Sequence, residues 1–322
     1  MPFISSARKQ YGPQGRKNTR WRRYPFTSHT FTPAGSVGQY GPTLSQLTSS
    51  YSSASWINGP GNIAMNDQGI QLWPVPSGGT YRITAAGGKG GGANGNGGIG
   101  AVMRGDFSLQ AGQTLRIIVG QRGYNGFGDG NSRNGGGGGA SVVSIVENGE
   151  LLIIAGGGAG ITDNTFDPDS NRNARTGQNS TDDGSYGRST YWWTQGSAGP
   201  NWDGGGGGSW GSNGESYGSQ RDAYGRNLQS SAPIGGLGRV GSGSYSNPKG
   251  GHGGFGGGGG SGIESGAPGG GGGFRGGNAG YSQTSTYVNG NNGTGGGSYN
   301  NGSNQSNSIS STGDGYVTIQ KL

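Results

Sequence analysis

The sequence predicts an all-β fold: a jelly-roll-like β-sandwich with an inserted glycine-rich bundle of polyproline II helices and almost no α-helix. Three observations lead there. Short runs rich in Val, Ile, Thr and aromatics recur between turn residues. No window of eleven or more residues keeps a helical apolar period without glycine interrupting it. And 82 of the 322 residues are glycine, much of it in tracts too poor in side chains to build a core.

The predicted strands are GIQLWPV (69–75), TYRITAAG (80–87), AVMRGDFSL (101–109), TLRIIVG (114–120), ASVVSIVE (140–147), LLIIAGG (151–157) and GYVTIQKL (315–322). Asn148-Gly149 between two of them is a strong hairpin signal. Upstream, turn residues at Pro33-Ala34-Gly35 and Tyr40-Gly41-Pro42 bracket a segment, Thr43 to Tyr51, with room for one short helical turn. The organisation expected is a basic extended arm over 1–28, a sandwich from 29–160 with 313–322, and a glycine-rich excursion over 161–312.

Composition alone reads as low complexity when Gly and Pro are this abundant. Yet the last strand needs partners, so the excursion must leave the sandwich and return. Glycine builds order as polyproline II, which has no internal hydrogen bonds and leaves every N–H and C=O free for neighbouring helices. Packing such helices side by side admits only hydrogen at inward positions. The arms expected are GGHGGFGGGGG and GGGGGFRGG within 250–277, each about 30 Å long at about 3.1 Å per residue, and further arms at 87–100, 135–139, 204–211 and 289–302. Collagen is excluded because a strict G-X-Y period is missing.

Charge and residue usage bound the function. The net charge is +7, and residues 1–24 hold seven basic residues and no acid, while the rest is balanced. The arm carries Arg8, Lys9, Arg16, Lys17, Arg20, Trp21, Arg22, Arg23, Tyr24 and Phe26. Docking on a neighbouring protein, solvation and nucleic-acid binding are the readings open to it. Cysteine is absent, which removes disulfides and thiolate chemistry. The opening MPFISSARKQ has no apolar signal core, and no apolar run is long enough to span a bilayer, so synthesis without export and no membrane insertion are expected.

Only two histidines, His29 and His252, occur, so no enzyme and no cofactor is expected. GFGDG and GGGAG resemble dinucleotide loops, but no helix can follow either to hold a phosphate. Asp163, Asp167 and Asp169 form a weak candidate for Ca²⁺; the EF-hand pattern fails, since Arg172 and Gln178 stand where Gly and Glu are needed. Tyr186, Tyr191, Trp192, Trp193, Trp202, Trp210, Tyr217 and Tyr224 lie among small polar residues, the composition of antibody-like binding loops, and the same rings could instead be the bundle's own packing.

The ordered series GIQLWPVPSGGTYRITAAGGKGGG, LQAGQTLRIIVGQRG, GGGGGASVV, LLIIAGGGAG and GDGYVTI resembles the glycine-rich domain of the anaplastic lymphoma kinase receptor family, and is similar to glycine-rich proteins of marine tailed phages. It covers residues 69–160 and 313–320. The resemblance implies a glycine bundle on a sandwich, as in the adhesins at the fibre tips of some tailed phages. Lacking cysteine, signal core and membrane span, the chain departs from the receptors and sits nearer the phage proteins. The expectation is therefore a virion structural protein: a tail fibre or adhesin component whose arm meets neighbouring virion subunits and whose loops meet a host-surface protein or polysaccharide. A capsid or neck decoration protein and a nucleic-acid-binding protein are the alternatives. A homo-oligomer is expected, with trimers suiting fibres.

Overall fold

A computed structural model describes residues 24–57, 59, 62–92, 96–126, 134–161, 171–179, 204–215, 222–238, 250–262, 268–280 and 293–322. Two five-stranded antiparallel sheets form the sandwich. In chain order the strands are β1 (Ser28–Phe31), β2 (Ile70–Pro74), β3 (Gly79–Ala86), β4 (Gly100–Leu109), β5 (Thr114–Ile118), β6 (Ser141–Ile145), β7 (Leu151–Ala155), β8 (Tyr299–Asn300), β9 (Ser303–Ser311) and β10 (Tyr316–Lys321). One sheet runs β1-β10-β3-β4-β9 and the other β2-β5-β6-β7-β8.

Period-two alternation builds the first sheet. Tyr81, Ile83 and Ala85 of β3 and Val317 and Ile319 of β10 face inward, fully buried, while Arg82 and Thr84 face out. Between the sheets, Trp73 meets Phe26, Phe31 and Tyr81 at ring separations of 4.7, 6.3 and 6.1 Å. The one helix among the described residues, α1 (Leu44–Ser50), starts in a capping box: Thr43 Oγ1 accepts from Gln46 N–H, and Gln46 Oε1 accepts from Thr43 N–H at 2.8 Å. Its Leu47 is wholly buried in the sandwich core.

Strands of the second sheet are buried on both faces, as the unbroken burial of β6 shows. Leu115, Ile117, Val143 and Ile153 pack toward the first sheet. Ile70, Ile118, Val142 and Ile154 point the other way, into a second apolar cluster with Leu228 and Phe255 and with half-buried Trp210, Phe274 and Tyr299. That outer cover is supplied by the glycine-rich region.

Three strands are not among those expected from the sequence: β1, β8 and β9. β9 reads SNQSNSISS, with no aliphatic alternation, because it is an edge strand with eight of nine residues exposed and pairs only with β4. Register shifts near both of its ends, one beside the left-handed Asn304 (φ 48°), bend this open edge as bulges do. The expected boundary of the excursion at 312 is corrected accordingly, since β8 and β9 belong to the sandwich.

The glycine region is also not one insertion beginning at 161. β3 continues into 87–92, which returns through 96–99 to β4; β5 continues into 119–126, which returns through 134–140 to β6; β7 continues into 156–161. Each of these glycine legs is a strand prolonged past the sheet.

Hydrogen bonding shows the screw symmetry of these legs. In 135–140, Gly135 and Gly138 donate to Ile161 and Gly158, Gly136 and Gly139 to Tyr124 and Gln121, and Gly137 and Ala140 to Gly259 and Gly256, over 2.7–3.0 Å. Every third N–H thus meets the same neighbour, as a helix of three residues per turn requires. The carbonyls repeat the pattern: Gly135 and Gly138 accept from Gly269 and Gly272, Gly136 and Gly139 from Gly91 and Gly88, and Gly137 from Gly254. The leg 135–140 is therefore the axis of a hexagonal array, with six polyproline II legs around it.

The long arms foreseen in 250–277 are not straight rods. GGHGGFGGGGG folds back at Phe255, where Gly256 and Gly257 adopt φ of 94° and 80°, so that 251–254 and 258–260 run antiparallel. GGGGGFRGG also folds back, at Phe274, and 204–215 folds back at Trp210. Each of these turns carries one aromatic into the cluster under the second sheet. Arg116 of β5 ties down a fourth turn, donating to the carbonyls of Leu228 and Ser230, both at 2.8 Å; its burial lowers the guanidinium pKa to about 10.

Candidate functional site: the loop-bearing end of the bundle

Leg directions follow from the hydrogen bonds. The prolongations of β3, β5 and β7 run away from the sandwich, so Gly92, Gly126 and Ile161, from which the chain enters 93–95, 127–133 and 162–170, lie at the far end. Gly251 and Gly254 bond in parallel to Asn134 and Gly137, and Gly269 and Gly272 likewise to Gly135 and Gly138. Both of those legs therefore run toward the sandwich, and 239–249 and 263–267 attach at the far end too. Leu237 bonds to Asp222, Gly260 to Ala223, and Gly280 to Pro268, which puts the roots of 216–221 and 281–292 there as well.

Seven of the eight connections thus root at one end of a glycine array. The eighth, 180–203, leaves near Gln178 beside Gly297 on the sandwich side and rejoins at Gly204, beside Gly260 at the far end. The sequences spanning these roots include FGDGNSR, TDNTFDPDS, SYGSQR, RVGSGSYSNPK and YSQTSTYVNGNN, small and polar with interspersed aromatics.

The N-terminal side lies at the other pole. Ser28 pairs with Gln320, at the end of β10 remote from the bundle, and Lys321 N–H donates to the Thr27 carbonyl. Residues 1–23 therefore join the molecule at the pole opposite the loop roots.

Of the residues singled out in the sequence, Arg8, Lys9, Arg16, Lys17, Arg20, Trp21, Arg22 and Arg23 lie outside the described residues, as do Tyr186, Tyr191, Trp192, Trp193, Trp202 and Tyr217, and Asp163, Asp167 and Asp169. Tyr24 and Phe26 are placed, and not as a free arm. Phe26 is buried against Trp73, and Tyr24 stacks on Trp56 at 5.9 Å while donating to the Pro74 carbonyl, its phenol pKa pushed up by burial. Both belong to the sandwich, so the arm ends before Tyr24. Trp210 packs under the second sheet, the packing role weighed for it. Tyr224 lies half-buried near the loop end, with the Arg226 guanidinium 4.9 Å from its ring centre.

The sequence reading had concentrated on 186–224 and missed the other loop roots. The signal was there: each connection is an interruption between two glycine runs, and chain reversal at constant leg length puts alternate interruptions at one end.

Among the described residues no three His, Cys, Asp or Glu side chains group as metal ligands, and no helix is long and apolar enough to cross a membrane. GGGAG lies in the β7 prolongation. Asp106 accepts from Arg82 Nε and Nη2 at 2.8 and 2.9 Å and from Asn304 Nδ2, and these bonds hold its carboxyl at about 2.

His29 sits edge-on to Phe31, Tyr51 and Trp56 at 4.8, 4.5 and 4.8 Å, and burial lowers its pKa to about 4. A depressed histidine favours unfolding where only the unfolded chain binds the proton, so its stabilising contribution is intact above about 6.5 and is lost as pH falls toward 4. The melting temperature is expected to drop over that window, with His29→Phe showing a shallower drop. The Asp106 contribution is lost separately, from about 3.8 down to 2. A pH series of thermal melts that is identical in the two proteins between 6.5 and 4 would refute the assignment to His29.

No protein-family model matches the chain. It is 36% identical over 96 residues to the leukocyte tyrosine kinase receptor of Mus musculus, in that protein's glycine-rich region, which is related to that of the anaplastic lymphoma kinase receptor. The match spans 29% of this chain and 11% of the mouse protein.

Proposed function

We propose that this chain is a non-enzymatic virion protein of a tailed phage, a tail-associated fibre or adhesin component that displays loops to a host surface. One observation carries the reading: the basic N-terminal arm and the loop roots attach at opposite poles of a hydrogen-bonded body. An arm docked on a neighbouring virion subunit then leaves the loops facing outward. Loops held at both ends by glycine legs lose less freedom on contact than loops on mobile stems, which favours affinity. Similarity to the glycine-rich region of a receptor is compatible with a binding role.

Particles provide the test. An antibody to residues 186–224 is expected to label the tail tip or fibres in electron micrographs, and replacing 216–221 and 239–249 by Gly/Ser is expected to abolish binding to host cells while leaving the melting temperature unchanged. Label on the head or neck, with no host binding by the wild-type chain, would replace the adhesin by a decoration protein.

A further inference from the structure

Where a leg's threefold pattern runs out of backbone acceptors, side chains stand in. Asn125 Oδ1 accepts from Gly92, Asn173 Oδ1 from Ile99, Thr294 Oγ1 from Asn278, and Asp314 Oδ1 from Arg122. His252 does the same for Gly238, its Nδ1 accepting the N–H at 2.9 Å. The asparagine and threonine oxygens carry no titratable proton and accept throughout the pH range 7.5 to 4.5. Imidazole alone turns from acceptor to donor on protonation.

Gly238 is buried and is the last described residue before the connection 239–249 at the loop-bearing end. Gly235, three residues earlier on the same leg, bonds to the Gln39 carbonyl, and Leu237 to Asp222. Among the described residues, the imidazole therefore supplies the last hydrogen-bond acceptor along this leg. We propose that His252 is a pH-sensitive latch: neutral, it holds the Gly238 N–H through Nδ1; protonated, it turns a second donor toward that N–H and releases the end of the leg.

The surroundings make the neutral form the resting state. The 119–126 leg presents Tyr124, edge-on to the imidazole at 6.0 Å, and the 135–140 and 235–238 legs present no ionisable side chain. Asp222, on the leg that bonds Leu237, lies 3.9 Å from Arg226. Burial moves the His252 pKa below the usual histidine value.

The test follows the Gly238 amide in the full-length chain by hydrogen exchange, corrected for intrinsic rate, and by its ¹⁵N shift, between pH 7.5 and 4.5, in a His29→Phe background that removes the other histidine. Protection of Gly238 is expected to fall at least about tenfold on acidification, with a midpoint matching the His252 ring titration. His252→Asn, whose amide oxygen can replace Nδ1 without titrating, keeps the protection flat across the range. His252→Phe, which keeps the ring contact with Tyr124, leaves Gly238 unprotected at both pH values. Wild-type protection that does not change with pH overturns the latch, and so does a pH dependence that persists in His252→Asn. Should His252→Phe fail to fold, the wild type and His252→Asn decide the matter.

Discussion

Gly137→Ala is expected to destabilise the protein by about 3 kcal/mol or more, the typical upper range for forcing a methyl into a packed interior. Gly137 lies on the bundle axis, where its N–H donates to Gly259 at 2.7 Å and its carbonyl accepts from Gly254 at 2.9 Å. A Cβ there would land on the Gly270 carbonyl, closer than any carbon–oxygen contact allows, and would also press on Gly271 N. The obstacle is backbone, so no rotamer change relieves it, and the neighbouring leg must move with its own hydrogen bonds. Those bonds contribute only about 0.5–1.5 kcal/mol each, but an N–H left buried without a partner costs about 1–3. The control is Gly177→Ala, where a Cβ would meet nothing within 4 Å and φ lies outside the left-handed region. There alanine is expected to be neutral or to stabilise by up to about 1 kcal/mol, because it restricts the unfolded chain. Urea unfolding of the two variants against the parent decides it; equal midpoints would mean that glycine serves no packing purpose on the axis.

Phe255→Ala should cost about 3–5 kcal/mol, the range for truncating a fully buried aromatic. Phe255 is wholly buried at the reversal of its leg, between Ile70, Ile118, Val142 and Ile154 of the second sheet and the backbones of Gly41 and Gly69. Its own N–H donates to Gly38 at 2.7 Å, and its carbonyl accepts from Gln121. One residue therefore joins the sheet, the loop before α1 and the bundle. Phe274→Ala, at the corresponding turn but half-buried, should cost clearly less. If the two truncations cost the same, burial under the second sheet is not what holds the legs down. Phe255→Leu, which keeps most of the apolar volume, should stay below about 1.5 kcal/mol.

The strands with alternating or continuous aliphatic residues were legible in the sequence, because an inward side chain every second position leaves a pattern; β3, β5, β7 and β10 fall within two residues of their expected ends. β9 was not legible. Its Ser and Asn residues carry no burial signal, and it is a strand only because β4 offers an open edge. The two-sided burial of β6 could be seen as a continuous apolar run, ASVVSIV, but what covered its outer face could not. In the candidate site, the loops were visible as interruptions between glycine runs. Their gathering at one end was not.

Composition alone dictated that a quarter-glycine chain without cysteine or helix periodicity must order itself, if at all, through hydrogen bonds between extended legs. It also set the basic arm apart from a balanced remainder. Tertiary structure decided which leg lies on the axis, where each leg reverses, and that the arm and the loop roots occupy opposite poles. Glycine has no side chain to encode a partner, so pairing among legs is specified at a distance, by the strands from which they are prolonged and by Trp210, Phe255 and Phe274 at their turns.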